Sequence, residues 1–141
     1  MSDANNDVDA AVLREAVKEK YREVALSPDK EFHFHTGRAL AKRLGYDMAI
    51  VDDLPDYAVE SFAGVASPFK FREPQLGEKV VDVGSGAGFD SFVAARMVGE
   101  KGAVIGVDMT PEMLNKANRS AESLTMEQVE FREGLIENMP V

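Results

Sequence analysis

The stretch that decides the fold is Lys79-Val80-Val81-Asp82-Val83-Gly84-Ser85-Gly86-Ala87-Gly88-Phe89-Asp90. An apolar strand pattern ends in a G-x-G-x-G turn, and a helical pattern follows at once. Glycine has no Cβ and tolerates positive φ, so the backbone can turn sharply there and come close to a ligand. A second apolar run, Val104-Ile105-Gly106-Val107, ends on Asp108. An acidic side chain one β-α unit past such a turn is placed to accept hydrogen bonds from a ribose. The two features read together as one site for an adenosine-bearing ligand.

The fingerprint for dinucleotides is G-x-G-x-x-G, with the diphosphate at the helix N-terminus. Here the first two glycines are Gly84 and Gly86, but the third position falls on Phe89, and the third glycine stands one residue early at Gly88. Asp82 also precedes the turn at the strand end. A carboxylate there repels a diphosphate and suits a cationic amine. A nicotinamide-dependent oxidoreductase is therefore the weaker alternative. A tight turn with no ligand is the bland one, and it has no need of three glycines.

This combination resembles the first motif of class I S-adenosylmethionine-dependent methyltransferases. Two further stretches are similar to the arsenite-methyltransferase-like subgroup: Val104-Ile-Gly-Val-Asp-Met-Thr-Pro-Glu-Met-Leu114 and Phe131-Arg-Glu-Gly-Leu-Ile-Glu-Asn-Met-Pro140. The resemblance implies S-adenosylmethionine as cofactor and a role for each matching residue. Gly84, Ser85, Gly86 and Gly88 would wrap the methionine and ribose portion. Asp82 would sit near the amine, Asp108 would bind the ribose hydroxyls, and Met109 would pack on the adenine. Leu135 and Ile136 would edge the adenine. The subgroup usually has an acidic residue at position 135, and a leucine cannot accept a bond from the adenine amino group. The resemblance also implies a role for an N-terminal tyrosine, here Tyr21, whose hydroxyl would reach the cofactor carboxylate; core packing on an apolar helix stripe is the plainer reading of that residue.

Composition narrows the partners. The chain has 141 residues, 45% hydrophobic, with a net charge of −9. Nucleic-acid binding needs a positive face, so DNA and RNA are disfavoured. No apolar run approaches the roughly 20 residues that span a membrane. The polar, acidic N-terminus Met-Ser-Asp-Ala-Asn-Asn-Asp is unlike a secretory signal, and the expected location is the cytoplasm. There are no cysteines, which excludes disulfides and thiolate metal sites in this chain. Arsenite methyltransferases hold trivalent arsenic with thiolates in segments preceding the glycine loop; the matching stretch here, Ser61-Phe-Ala-Gly-Val-Ala-Ser-Pro-Phe69, has Ala and Val instead. The resemblance thus implies the fold and the cofactor, but not arsenic as the acceptor.

The expected fold class is α/β, a Rossmann-like methyltransferase sheet with only its first three strands present and a helical N-terminal extension. Residues 1–8 read as a disordered tail, 9–70 as a helical lid or extension, and 71–141 as the first half of the cofactor domain. Asp9 can cap a helix to about Leu26. Thr36 can cap a short one over Gly37–Leu44 with Gly45 at its end, and Asp47 and Asp56 can cap two more. Beyond Gly77 the spacing predicts a strand at 79–83, a helix at 89–98, a strand at 103–107, a helix capped by Thr110 with Pro111 first, and a strand at 129–132. The order β-α-β-α-β implies parallel strands and right-handed crossovers.

Phe32-His33-Phe34-His35 puts both histidines on one side of an extended segment. They are candidate substrate contacts, with a buried-phenylalanine structural segment as the plainer alternative. With no third ligand nearby, a metal is not expected. The catalytic base is not identifiable. The expected function is methyl transfer to a small molecule, with this chain carrying the cofactor half and inactive alone. A non-catalytic binding or interaction module is the alternative. Val80, Val81 and Val83 suit a central strand buried on both faces, so self-association, or pairing through an exposed first strand, is expected.

Overall fold

A computed structural model describes residues 36–141 of the chain. The described part begins with three short helices, α1 (Gly37–Arg43), α2 (Met48–Val51) and α3 (Asp56–Val59), followed by a 3-10 turn at Pro68–Lys70. The α/β part follows as β1 (Lys79–Val83), α4 (Phe89–Val98), β2 (Ala103–Asp108), α5 (Pro111–Leu124) and β3 (Val129–Glu133). The strands form one parallel sheet in the order β1-β2-β3. Lys79 pairs with Ala103 and Val104 with Val129, so each strand lies beside the next one in the chain.

Gly and Pro punctuate these elements as their chemistry requires. Gly45 follows α1 with φ +84, Gly99 ends α4 with φ +71, and Pro111 opens α5. The caps follow the sequence expectation at Asp47 and depart from it elsewhere. Asp47 caps α2 through Ala49 N at 3.0 Å. Thr36 and Thr110 occupy N-cap positions, but neither makes a side-chain cap bond. Asp56 is the first helical residue of α3, with Pro55 at its N-cap, and its carboxylate receives Arg38 Nη2 at 3.1 Å instead. Asp56 lies one residue inside the helix and is therefore not placed to cap it. The second and third strands each run one residue longer than expected, to Asp108 and Glu133.

Strand order 1-2-3 with right-handed crossovers puts α4 and α5 on the same face of the sheet. Along β1, Val80 and Asp82 turn toward that face, while Val81 and Val83 turn away from it. Val81 is 44% exposed and Val83 is 40% exposed. Among the described residues β1 pairs only with β2.

Under the helices, Phe92, Val93, Val98 and Val104 form a buried cluster that continues into Val51, Leu54, Val59 and Phe62 of the helical segment. Two polar ties reinforce this. Arg38 bridges α1 to the backbone carbonyls of Val51, at 2.6 Å, and Leu54. Arg96 of α4 pairs with Asp53 at 3.2 Å, partly exposed and so a weak tie.

Candidate functional site

The turn between β1 and α4 carries three consecutive demands for glycine. Gly84, Gly86 and Gly88 have φ of +72, +56 and +96, a region that residues with a Cβ enter at a cost. The reason differs between them. A Cβ on Gly84 or Gly86 would meet nothing within 4 Å, so these two leave open space on their free side. A Cβ on Gly88 would lie 2.8 Å from the Phe131 ring and 2.9 Å from Phe92. Gly88 therefore serves the packing of α4 on β3, not an open cradle.

The open side of the turn faces a cavity of about 150 Å³. Its floor is Gly84, Ser85, Gly86, Ala87, Phe89 and Asp90, and its far wall is Ala58 and residues 61–64. Ser85 is only 8% exposed, and its Oγ has no hydrogen-bond partner among the described residues. That hydroxyl is in place to bond a ligand atom or a water in the cavity.

Two carboxylates of the expected site hold the turn in shape. Asp108 is buried at the end of β2. It accepts from Gly86 N at 3.3 Å and from Thr110 N at 3.0 Å. Asp82, on the helix-facing side of β1, accepts from Ser91 Oγ at 2.6 Å. Burial pushes the Asp82 carboxyl up to about 6, the Ser91 bond opposes this, and the Asp90 and Asp108 charges add to it. Asp90 is also raised by burial, and the hydroxyl of Tyr46 pulls it back down. Three acidic groups thus converge behind one glycine turn, which suits a ligand carrying positive charge.

Of the residues expected from sequence, the structure brings Gly84, Ser85 and Gly86 to the cavity, with Asp82 and Asp108 directly behind them. Met109 follows Asp108 at the same strand end. Leu135 forms an isolated bridge with Asn138, and Ile136 is 72% exposed. Neither lines the cavity. Tyr21, His33 and His35 lie outside the described residues.

Sequence reading missed the rest of the site. Residues 61–64 line the cavity, although that stretch stood out only for the thiols it lacks. Tyr46 and Asp90 drew no attention: the hydroxyl-carboxylate bond spans 44 residues, and nothing in local spacing signals it. A buried aromatic cluster could have been suspected from Phe62, Phe69 and Phe89, which surround the Tyr46 ring at centroid distances of 5.2, 5.9 and 5.0 Å.

Among the described residues no group of three or more His, Cys, Asp or Glu could hold a metal ion, and no helix is long and apolar enough to cross a membrane.

Comparison with known proteins agrees with this geometry. A family model described as a methyltransferase domain matches residues 75–141. An arsenite methyltransferase of Halobacterium salinarum is 48% identical over 101 residues, which is 72% of this chain and 26% of that protein. An arsenite methyltransferase of Aquipseudomonas alcaligenes is 46% identical over 67 residues, 45% of this chain and 19% of that protein. The crystal structure of an arsenic(III) S-adenosylmethionine methyltransferase from Chlamydomonas reinhardtii superposes with a TM-score of 0.58 at 37% identity, covering 64% of this chain and 32% of that one. The chain thus spans about a quarter of the length of the first of these relatives.

Proposed function

Because the chain belongs with the S-adenosylmethionine-dependent methyltransferases of the arsenite-methyltransferase type, we propose that it carries the cofactor-binding part of an enzyme that methylates a small molecule. The observation that carries this reading is the cavity over the glycine turn. Two left-handed glycines open onto it, an unbonded Ser85 hydroxyl lines it, and three carboxylates stand behind or beside it. Those residues fit a ligand with a ribose, an amine and a sulfonium. When bound, S-adenosylmethionine supplies an activated methyl group. The chain's own part is to hold and orient it: Gly84 and Gly86 allow close approach, Ser85 offers a hydroxyl, and Asp82, with Asp90 nearby, favours the ammonium group. Asp108 contributes by fixing Gly86 and Thr110 through its two carboxylate oxygens. Methyl transfer of this kind needs positioning above all.

Phe89 supports this reading over a nicotinamide enzyme. It is buried against Phe62 with centroids 4.3 Å apart, where the dinucleotide fingerprint has the glycine that packs helix on strand.

The acceptor is a small molecule held without thiolates from this chain, since Ser61–Phe69 supplies none and its first residues wall the cavity. His33 and His35 are proposed to contact it. Replacing both with Asn in an active protein lowers turnover and leaves cofactor affinity intact; equal turnover would remove them from the site.

The deciding test is calorimetric titration of the chain with S-adenosylhomocysteine and, separately, with NAD. Binding of the first and not the second is expected. The reverse result, or binding of neither, would overturn the assignment.

A further inference from the structure

Tyr46 is placed where the helical segment meets the glycine turn. It is 5% exposed, and its ring is packed edge-on or tilted against Phe62, Phe69 and Phe89. Two of those rings, Phe62 and Phe89, themselves line the cavity over the turn. The Tyr46 hydroxyl donates to Asp90 Oδ1, and Asp90 also lines the cavity.

A phenol buried among aromatic rings has one reason to keep its oxygen, which is a partner for it. Here burial first, and the Asp90 carboxylate next, push the Tyr46 pKa far above its ordinary value. The hydroxyl therefore stays a donor at every physiological pH. For Asp90 the bond has the opposite sense. It stabilises the ionised carboxylate against the burial that raises its pKa. Asp90 also occupies the first turn of α4, where the positive end of the helix dipole favours negative charge. Its neighbour Ser91 ties the same turn to Asp82 at 2.6 Å. A single hydroxyl from a different part of the chain thus fixes one of the carboxylates of the cavity wall, and the second stands beside it.

We propose that Tyr46 is a positioning residue for cofactor binding: its hydroxyl holds the Asp90 carboxylate toward the cavity, so that Asp90, backed by Asp82, receives the ammonium group of the cofactor's amino-acid part. This rests on the cavity being the S-adenosylmethionine site. Removing the hydroxyl leaves the aromatic packing in place but frees Asp90 to rotate or take up a proton.

The test compares two ligands that share the adenosine part. S-Adenosylhomocysteine carries the amino-acid part, and 5′-methylthioadenosine lacks it. Tyr46→Phe keeps the ring, and Asp90→Asn keeps the side-chain shape while removing the charge. Each variant is titrated with both ligands by calorimetry, and urea unfolding checks its fold. Loss of one hydrogen bond to a charged group predicts about a tenfold weaker affinity for S-adenosylhomocysteine in either variant. Affinity for 5′-methylthioadenosine should stay within about twofold of the unsubstituted chain. Equal losses for both ligands would show a merely structural role and overturn the proposal, as would no loss for either. If the unsubstituted chain binds neither ligand, the reading of the cavity itself fails, a result distinct from either variant pattern.

Discussion

Asp82 gives the sharpest test of the site's electrostatics. Its carboxyl, raised by burial from an ordinary 3.8 to about 6, is worth about 3 kcal/mol of differential interaction between its two protonation states. The folded chain binds this proton more tightly than the unfolded chain does. Between about pH 4 and pH 6 the native state therefore holds more protons, and its stability falls as pH rises through that window. Above about pH 7 the full cost of the buried charge is present. Asp82→Asn removes the charge and leaves an oxygen to accept from Ser91. Urea unfolding of both proteins should show the Asn variant more stable by up to about 3 kcal/mol at pH 8. At pH 5 that advantage should shrink by more than about 1 kcal/mol, because the unsubstituted chain has by then taken up much of its proton. Taking the difference between the two proteins cancels the titration of acidic groups that do not interact with Asp82; Asp90 and Asp108 do, and losing the Asp82 charge adds to the advantage at pH 8. An advantage that is the same at pH 5 and pH 8, or no advantage at pH 8, would refute the claim that Asp82 is held ionised against its burial. The same substitution should weaken S-adenosylhomocysteine binding, so stability and affinity move in opposite directions.

Other expectations follow from the turn and the sheet. Gly86→Ala should cost only the left-handed backbone penalty of about 1–2 kcal/mol in stability yet abolish S-adenosylhomocysteine binding in calorimetry. Gly88→Ala should destabilise more, because its Cβ also meets the rings of Phe131 and Phe92, and thermal unfolding of the two variants ranks them. Asp108→Ala should weaken cofactor binding by about 1.5–3 kcal/mol, the range for hydrogen bonds to a charged group; unchanged affinity would remove Asp108 from the site. The open edge of β1 and its bare valines should drive association. Light scattering should then find a mass above the 15.4 kDa of one chain, and a monodisperse monomer would contradict this.

The α/β part was legible in sequence because its signals are local. Gly84-Ser85-Gly86 and Thr110-Pro111 mark element boundaries by chemistry that no tertiary context overrides, and the valine runs between them have strand character. The caps were less legible. Thr36, Thr110 and Asp56 have side chains suited to capping, but Asp56 falls one residue inside its helix and neither threonine makes the bond, details of backbone geometry that residue type does not encode. The glycine turn shows a deeper limit. Sequence treats Gly84, Gly86 and Gly88 alike, while the structure separates two that face open space from one that faces Phe131. Tyr46 and Asp90 were invisible for the same reason: their meeting is made by the packing of the helical segment on α4, not by any spacing along the chain.

The strand order has a consequence for how this part of the chain acquires its structure. Each strand pairs with its immediate successor, so each pairing can form once the next strand has been made. β1 and α4 can form a nucleus onto which β2 docks, and β3 then adds to β2 after one more helix. Each pairing nevertheless closes a crossover that includes a whole helix, from Lys79 to Ala103 and from Val104 to Val129, so it forms more slowly than a hairpin would. β2, paired on both sides, becomes the innermost element of the nascent unit. Its amide protons should be the slowest of the three strands to exchange with deuterated solvent, because both of its edges are hydrogen-bonded.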